Sequence, residues 1–228
     1  MHYKIFFFIT AFLTMSGFKL LTKSKWEITE ADPTIWIKYC SDMTNITIGK
    51  NDLSSKDPLS GQTVTTETAL ISIAKNFNDV NSSYLRFASY PADPANPGTP
   101  EVGDSTFTAE KAKNRTIDVC FTDPSSPFQG GSASLDEAGD SIIGCTILIK
   151  KNHKKSAKDF IRTLTHELGH CSGLDHPQET RNAIMSYFSD SDEARLMIDD
   201  KMGLVYLFPK AGVDVKEQAS FGLSCATK

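Results

Sequence analysis

Three of the chain's five histidines fall within the stretch HELGHCSGLDH at 166–176. His166 and His170 are four residues apart, and on a helix this spacing places both imidazoles on one face, one turn apart. Gly173 permits the positive φ needed for a sharp reversal of the chain, which returns His176 as a third nitrogen donor. The stretch therefore predicts a helix, a glycine turn and one metal ion. This combination constrains the fold more than any other feature of the sequence.

Three imidazoles leave the fourth coordination position of a zinc ion open, which is the pattern of a catalytic site. Structural zinc sites are usually closed by four protein ligands. Glu167 adjoins the first histidine and can accept a proton from a water held at the ion. Chance would place these residues at these positions in about one chain in 10⁵. We expect one catalytic Zn²⁺ held by His166, His170 and His176, with Glu167 as the general base.

Length and charge limit the other classes of function. The chain has 228 residues, enough for one domain, and its formal net charge is −4. There is no overall basic bias, so we expect no nucleic-acid partner. The one cluster of lysines, KKNHKK at 150–155, is typical of a solvated loop before a helix.

The N-terminus carries Lys4 and then an apolar run to about Phe18, shorter than the roughly 20 residues that span a bilayer. This pattern predicts a secretory signal peptide at 1–20 and a secreted, periplasmic or extracellular protein, although the sequence does not fix the cleavage site. An uncleaved membrane anchor is the alternative. The remaining chain divides into a short N-terminal segment at 21–33, a catalytic domain at 34–209 and a C-terminal tail at 210–228.

Residue patterns along the chain predict a single α+β domain. Runs of β-branched and aromatic residues predict strands, and apolar residues at three- and four-residue spacing predict helices. The histidine helix opens with a capping box at Ser156 and Asp159 and ends at Gly173. The predicted order is strand 32–40, helix 63–80, strands 84–90, 116–121, 132–135 (a short edge strand) and 142–150, the histidine helix, and a last helix at 193–208.

The chain contains five cysteines: Cys40, Cys120, Cys145, Cys171 and Cys225. An exported protein can form disulfides, but five is an odd number and the sequence does not choose among the connectivities. Cys171 continues the apolar stripe of Leu164 and Leu168. We therefore expect Cys171 to face the core as a buried thiol or as half of a disulfide, and not to bind the metal.

The histidine motif, followed by Ile-Met-Ser at 184–186, resembles the signature of the metzincin metallopeptidases. The resemblance extends over about residues 34–209, and DDKMGLVYLF at 199–208 is similar to the last helix of the matrixins. It implies a metzincin-like zinc-peptidase domain with a twisted mixed β-sheet of about five strands and three main helices. It also implies that Met185 forms an apolar turn beneath the zinc and does not bind it.

Tyr187 is the position at which the metzincin subfamilies differ. A tyrosine two residues after the methionine resembles the serralysins and astacins, in which it binds zinc in the resting enzyme and then steadies the oxyanion. Pro177 also resembles the serralysins. The short interval between His176 and Met185 is instead similar to the matrixins. Tyr187 is interpreted as a zinc-facing catalytic residue, with a packed aromatic as the alternative.

These observations predict a zinc-dependent endopeptidase that hydrolyses peptide bonds through a zinc-bound water activated by Glu167. Its partner is a protein or peptide bound as an extended strand, with specificity from a pocket at 185–188. The protein is expected to be a monomer, with no membrane partner once its N-terminus is cleaved. The alternative is a weakly active or inactive metal-binding secreted protein, such as an adhesin or inhibitor. Whether the protein also binds a calcium ion stays open, because the acidic loop residues do not have the spacing of calcium ligands: Asp123, Asp136, Glu137 and Asp140.

Overall fold

The computed structural model describes residues 19–21, 24–91, 108–128, 130–177, 180–181, 183–187 and 193–214. Nearly all of the predicted signal peptide, Phe188 in the predicted specificity pocket, and Cys225 lie outside these ranges. Within them, no helix is both long and apolar enough to cross a membrane.

The strands that the structure describes form one main sheet and one small ribbon. The strands in chain order are β1 (Lys19–Leu20), β2 (Lys25–Trp26), β3 (Thr34–Tyr39), β4 (Arg86–Ser89), β5 (Thr116–Thr122), β6 (Gly131–Ala138), β7 (Ser141–Lys150) and β8 (Leu174–Asp175). The main sheet runs β2-β7-β5-β3-β4 with parallel pairing throughout, and β6 pairs with β7 in the antiparallel sense. The predicted mixed sheet is confirmed, with six strands because β2 adds to the five expected.

In the described part of the chain, four α-helices accompany the sheet: α1 (Thr66–Asn78), α2 (Ala109–Ala112), α3 (Ala157–Cys171) and α4 (Ile198–Leu207). Of these α1, α3 and α4 are the three main helices that were predicted. Helix α1 begins at a capping box formed by Thr65 and Thr68 and buries an apolar face that includes Ile73 and Phe77. Helix α3 buries the whole predicted stripe of Ala157, Ile161, Leu164, Leu168 and Cys171.

The predicted start of the last helix was wrong. Helix α4 begins at Ile198, five residues later than predicted, with Met197 as its N-cap. The Met197 N–H donates to the side chain of Asp200 at 2.8 Å, which fixes the helix start there. The buried face of α4 includes Leu204 and Val205, whereas Ile198 and Tyr206 are 61% and 49% exposed.

Among the described residues there are two disulfides, one between neighbouring strands of the sheet and one between the sheet and α3. Cys40, directly after β3, pairs with Cys120 of β5, and Cys145 of β7 pairs with Cys171 at the end of α3. Cys171 is fully buried. The expectation that this residue faces the core and does not bind the metal is therefore met, and the second bridge ties the end of the histidine helix to the sheet.

The segment at 21–33, which was assigned outside the catalytic domain, packs against that domain. Trp26 and Ile28 are buried in the main core. The Trp26 indole N–H donates to the carbonyl of Cys171 at 2.6 Å. The Leu21 N–H donates to the Gly173 carbonyl at 2.9 Å, and just before it β1, the last two residues of the predicted signal peptide, pairs with β8, which directly precedes His176. The N-terminal segment thus supports the loop that carries the third histidine.

Candidate metal centre

Helix α3 carries the first two histidines and the glutamate of the motif. Ser156 caps the helix by accepting a hydrogen bond from the Asp159 N–H at 3.2 Å. At the other end Gly173 has φ of 97°, a left-handed conformation that only glycine adopts readily. This turn leads into β8 and brings His176 back to the helix, as the sequence predicted.

The three histidines meet at one point. Their candidate ligand nitrogens all lie within 4.8 Å of one another, and Nε2 of His166 is 3.0 Å from Nε2 of His176. Two nitrogens bound to one zinc ion at 2.0–2.1 Å would be about 3.4 Å apart in tetrahedral geometry. The triad therefore fits a zinc ion. Among the described residues, no other group of three such ligating side chains is close enough to hold an ion.

Backbone carbonyls orient the first two rings. Nδ1 of His166 lies 3.0 Å from the Ile184 carbonyl, and Nδ1 of His170 lies 2.8 Å from the Leu174 carbonyl. A carbonyl can only accept, so each Nδ1 carries the proton and each Nε2 keeps its lone pair for a metal. Burial, followed by the charge of the neighbouring His170, lowers the pKa of His166 to about 4. Both effects favour the neutral imidazole that binds metals.

Asp175 holds the third histidine. Its carboxylate accepts the His176 backbone N–H at 2.8 Å and lies 3.4 Å from Nδ1 of the same ring. A carboxylate on the far side of a metal-binding imidazole fixes the ring and raises its basicity. No sequence pattern singled out Asp175. The position immediately before His176 was the available signal.

Glu167 lies beneath the edge strand β6. Burial raises the pKa of its carboxyl to about 7, although the Ala133 N–H donates to it and opposes the shift. A Cβ at Gly131 would lie 3.0 Å from Oε1 of Glu167, so a side chain at that position would crowd the carboxylate. A carboxyl with a pKa near neutrality can both accept and release a proton at physiological pH.

The methionine turn packs directly under the histidine helix. Met185 is 1% exposed, and a Cβ placed on Gly169 would lie 2.3 Å from its sulfur. The buried carboxylate of Asp200 accepts the backbone N–H groups of Ile184 at 2.7 Å and Met185 at 3.3 Å. Burial raises the pKa of Asp200 to about 6, against the effect of these donors. Met185 is thus an apolar floor held from below by α4.

Tyr187 lies against the third histidine. Its ring stacks on that of His176, with centroids 3.9 Å apart and planes 20° apart. The side chain is 69% exposed, so it is not a packed core aromatic. Its ring borders the metal triad, and its predicted role toward zinc remains a prediction.

A cleft of about 500 Å³ runs between β6 and α3. It contains the whole predicted site except Met185, which lies below it. It is lined by Gly130, Gly131, Ser132, Ala133, Arg162, Thr163, His166, Glu167, His170, His176, Ile184, Ser186 and Tyr187. Arg162 is a lining residue that the sequence analysis missed, although its position one turn before His166 could have indicated it.

Strand β6 leaves one side open to the cleft. Only β7 pairs with it among the described strands. The Lys150 N–H donates to the Gly130 carbonyl at 2.9 Å, so Ser132, two residues further on, also turns its polar groups toward β7. The polar groups of Gly131 and Ala133 then face the cleft. This agrees with the bond from Ala133 to the glutamate and leaves an edge at which an extended chain could pair.

Comparison with known proteins supports the resemblance over part of the chain. The family model described as Matrixin matches residues 102–209. No curated protein sequence gives a significant match. Among solved structures, the chain is similar to the one titled "Structure of myroilysin", with 14% sequence identity and a TM-score of 0.43. The alignment covers 84% of this chain and 98% of that chain.

Proposed function

We propose that the chain is a secreted, zinc-dependent endopeptidase of the metzincin type, which the match of the matrixin family model to residues 102–209 supports. The observation that carries this proposal is the position of Glu167. Its carboxylate lies in the same cleft as the three histidines, beneath an open strand edge. A protein that only binds metal would have no use for a buried base at this point.

Different residues of the chain act in the successive steps of peptide hydrolysis. The open edge of β6 binds the peptide backbone as an added strand and orients the bond to be cleaved. When bound, zinc supplies a Lewis acid that polarises the carbonyl and lowers the pKa of water. Glu167 accepts the proton of the attacking water and delivers it to the leaving amine nitrogen. The substrate is a protein or peptide, and the enzyme acts as a monomer.

Tyr187 is proposed to donate a hydrogen bond from its phenol to the oxyanion that develops on the carbonyl. Its exposed ring beside His176 supports this role. Tyr187→Phe should lower kcat by about 100-fold, the usual effect of losing one oxyanion donor, without loss of zinc. An unchanged kcat in a zinc-loaded Tyr187→Phe enzyme would remove Tyr187 from the mechanism.

The experiment that tests the function pairs metal analysis with cleavage of a generic unfolded protein, with and without a chelator. Glu167→Gln should keep one zinc per chain and lose cleavage, because the amide cannot accept the proton. Glu193→Gln is the matched control, since Glu193 is exposed and lies outside the cleft. Equal cleavage by wild type and Glu167→Gln would refute the assignment of the base. A wild type that binds zinc but cleaves nothing would favour the metal-binding adhesin or inhibitor.

Export of the protein is supported by the apolar N-terminal pattern and by the two disulfides, which persist in oxidising compartments. Sequencing the N-terminus of the mature chain tests this point. An intact Met1 would favour the anchored form over the secreted one.

A further inference from the structure

The disulfide between Cys145 and Cys171 lies directly beside the metal ligands, and the proposed mechanism does not use it. Cys171 is the last residue of α3 and follows His170, the second histidine of the triad. Its partner Cys145 lies on β7, and the two residues are 2% (Cys145) and 0% (Cys171) exposed. The bridge therefore holds the end of the histidine helix to the sheet inside the main core.

The same bridge joins the two sides of the cleft. Strand β7 carries Cys145 and pairs with β6, whose open edge lies over Glu167. Helix α3 forms the other side of the cleft. The first turn of α3 is held by a hydrogen bond, since the Ala157 N–H donates to the Lys50 carbonyl at 2.7 Å. At its last residue, Cys171, the helix is held to the sheet by a covalent bond.

The turn that leads to the third histidine begins at Cys171. The Cys171 carbonyl accepts the Trp26 indole N–H at 2.6 Å, and the Gly173 N–H donates to the His170 carbonyl at 2.8 Å. Because the turn is bonded on both sides, a shift of its first residue also moves His176. A zinc site tolerates little movement, since its ligand distances lie within about 0.2 Å of their usual values.

We propose that oxidation of Cys145 and Cys171 assembles the metal centre, so that the chain acquires its full zinc affinity only when this bridge has formed. The inference rests on the zinc centre of the proposed function but not on peptide cleavage. As the bond forms, the two thiols lose two electrons and two protons, and a donor disulfide takes them up and becomes two thiols. In the reduced chain each sulfur needs its own space in a close-packed core, which displaces the end of α3 from β7.

Assembly by oxidation makes the enzyme latent until it is exported. A reducing compartment keeps the two thiols reduced, and there the chain binds zinc weakly. Once the bridge has formed, a reductant in solution does not reach it, because neither cysteine is more than 2% exposed. The step therefore runs in one direction, on transfer to an oxidising compartment, and peptide cleavage begins only after it.

The second disulfide provides a matched control within the same chain. Cys40 and Cys120 connect β3 to β5, and neither residue lines the cleft. Side chains alternate along β5, so Cys120 lies on the face opposite to Val119, which is buried in the same core as Cys171. The two cysteines of this bridge are 80 residues apart in sequence, against 26 for Cys145 and Cys171. Opening the longer loop should therefore lower stability at least as much, without moving a zinc ligand.

The first test measures the zinc dissociation constant of the full chain by competition with a chromogenic chelator. Wild type is compared with two double variants, Cys145→Ala/Cys171→Ala and Cys40→Ala/Cys120→Ala. The first variant should bind zinc about 10–100-fold more weakly than wild type, the range found when a support behind a metal ligand is lost, and the second should bind it as wild type does. Equal affinity in all three proteins, or equal weakening in both variants, would overturn the proposal. A wild type that binds no zinc would instead overturn the zinc centre on which the proposed function rests.

A second test decides the question even if the Cys145→Ala/Cys171→Ala variant does not fold. Reduced, unfolded wild type is refolded with oxidised glutathione and zinc, and samples are alkylated at successive times. Alkylated thiols do not hold the metal, so the zinc retained after gel filtration reports the histidine site. Peptide mapping reports each bridge. Retained zinc should increase together with the Cys145–Cys171 bridge, whether or not Cys40 and Cys120 have paired, and zinc retained before that bridge forms would overturn the proposal.

Discussion

Replacing Gly169 by alanine tests the packing of the methionine turn against the histidine helix. Gly169 lies between Leu168 and His170, and its Cα faces the thioether of Met185. An added Cβ would lie 2.3 Å from the sulfur, 3.2 Å from the terminal methyl carbon and 3.5 Å from Cγ of Met185. Real carbon–sulfur contacts do not reach 2.3 Å, so either the buried methionine or the helix must move.

Two opposing contributions set the size of the effect. Alanine is a better helix former than glycine by up to about 1 kcal/mol. Overpacking a well-filled core typically costs about 1–3 kcal/mol. We therefore expect Gly169→Ala to lower the free energy of unfolding by up to about 2 kcal/mol. In a chain of this size each kcal/mol shifts the melting temperature by about 2–4 °C.

The assay is denaturant unfolding of the metal-free protein, with disulfides intact, so that zinc binding does not mask the difference. Met185→Ala provides the critical comparison. It should itself cost about 2–5 kcal/mol, but it removes the atoms that meet the new Cβ. In that background Gly169→Ala should stabilise by up to about 1 kcal/mol, a reversal of sign. The packing argument fails if Gly169→Ala has the same effect with Met185 present or truncated.

Two further perturbations probe the supports of the site. Asp57→Ala should lower the unfolding free energy by about 3–5 kcal/mol, because Arg195 and Asp57 pair at 2.9 Å with side chains only 11% and 5% exposed, and the guanidinium would stay buried without its carboxylate partner. The Asp57→Ala, Arg195→Met double variant should recover most of this loss. A loss under 1 kcal/mol in the single variant Asp57→Ala would contradict the reasoning. Asp200 has a folded-state pKa raised to about 6, above its unfolded value, so its protonation favours the native state as pH falls. Relative to Asp200→Asn, wild type should gain up to about 3 kcal/mol of stability between pH 7 and pH 4, measured by urea unfolding at each pH, and a relative loss on acidification would refute the raised pKa.

Local patterns predicted much of the fold because their periods are set by backbone geometry. The apolar stripe of α3 follows the helical repeat, and every one of its predicted residues is buried. The strand at 142–150 was predicted from its apolar and β-branched run and corresponds closely to β7. The start of α4 was misplaced because side-chain bonds formed between distant elements, such as that from the Leu196 N–H to Asn76, hold 193–197 outside the helix. Sequence patterns contain no record of such contacts.

Part of the candidate site was fixed by sequence alone. The spacing of His166, Glu167 and His170 on one helix, with a glycine turn before His176, brings these side chains to one place because a helix and a tight turn have few available geometries. Only the tertiary structure decided which groups surround them. The folded structure places Asp175 against the imidazole of His176 and Arg162 in the lining of the cleft. It also brings the open edge of β6 over Glu167. These relations depend on how strands and helices pack across the chain, and that packing is a property of the folded whole.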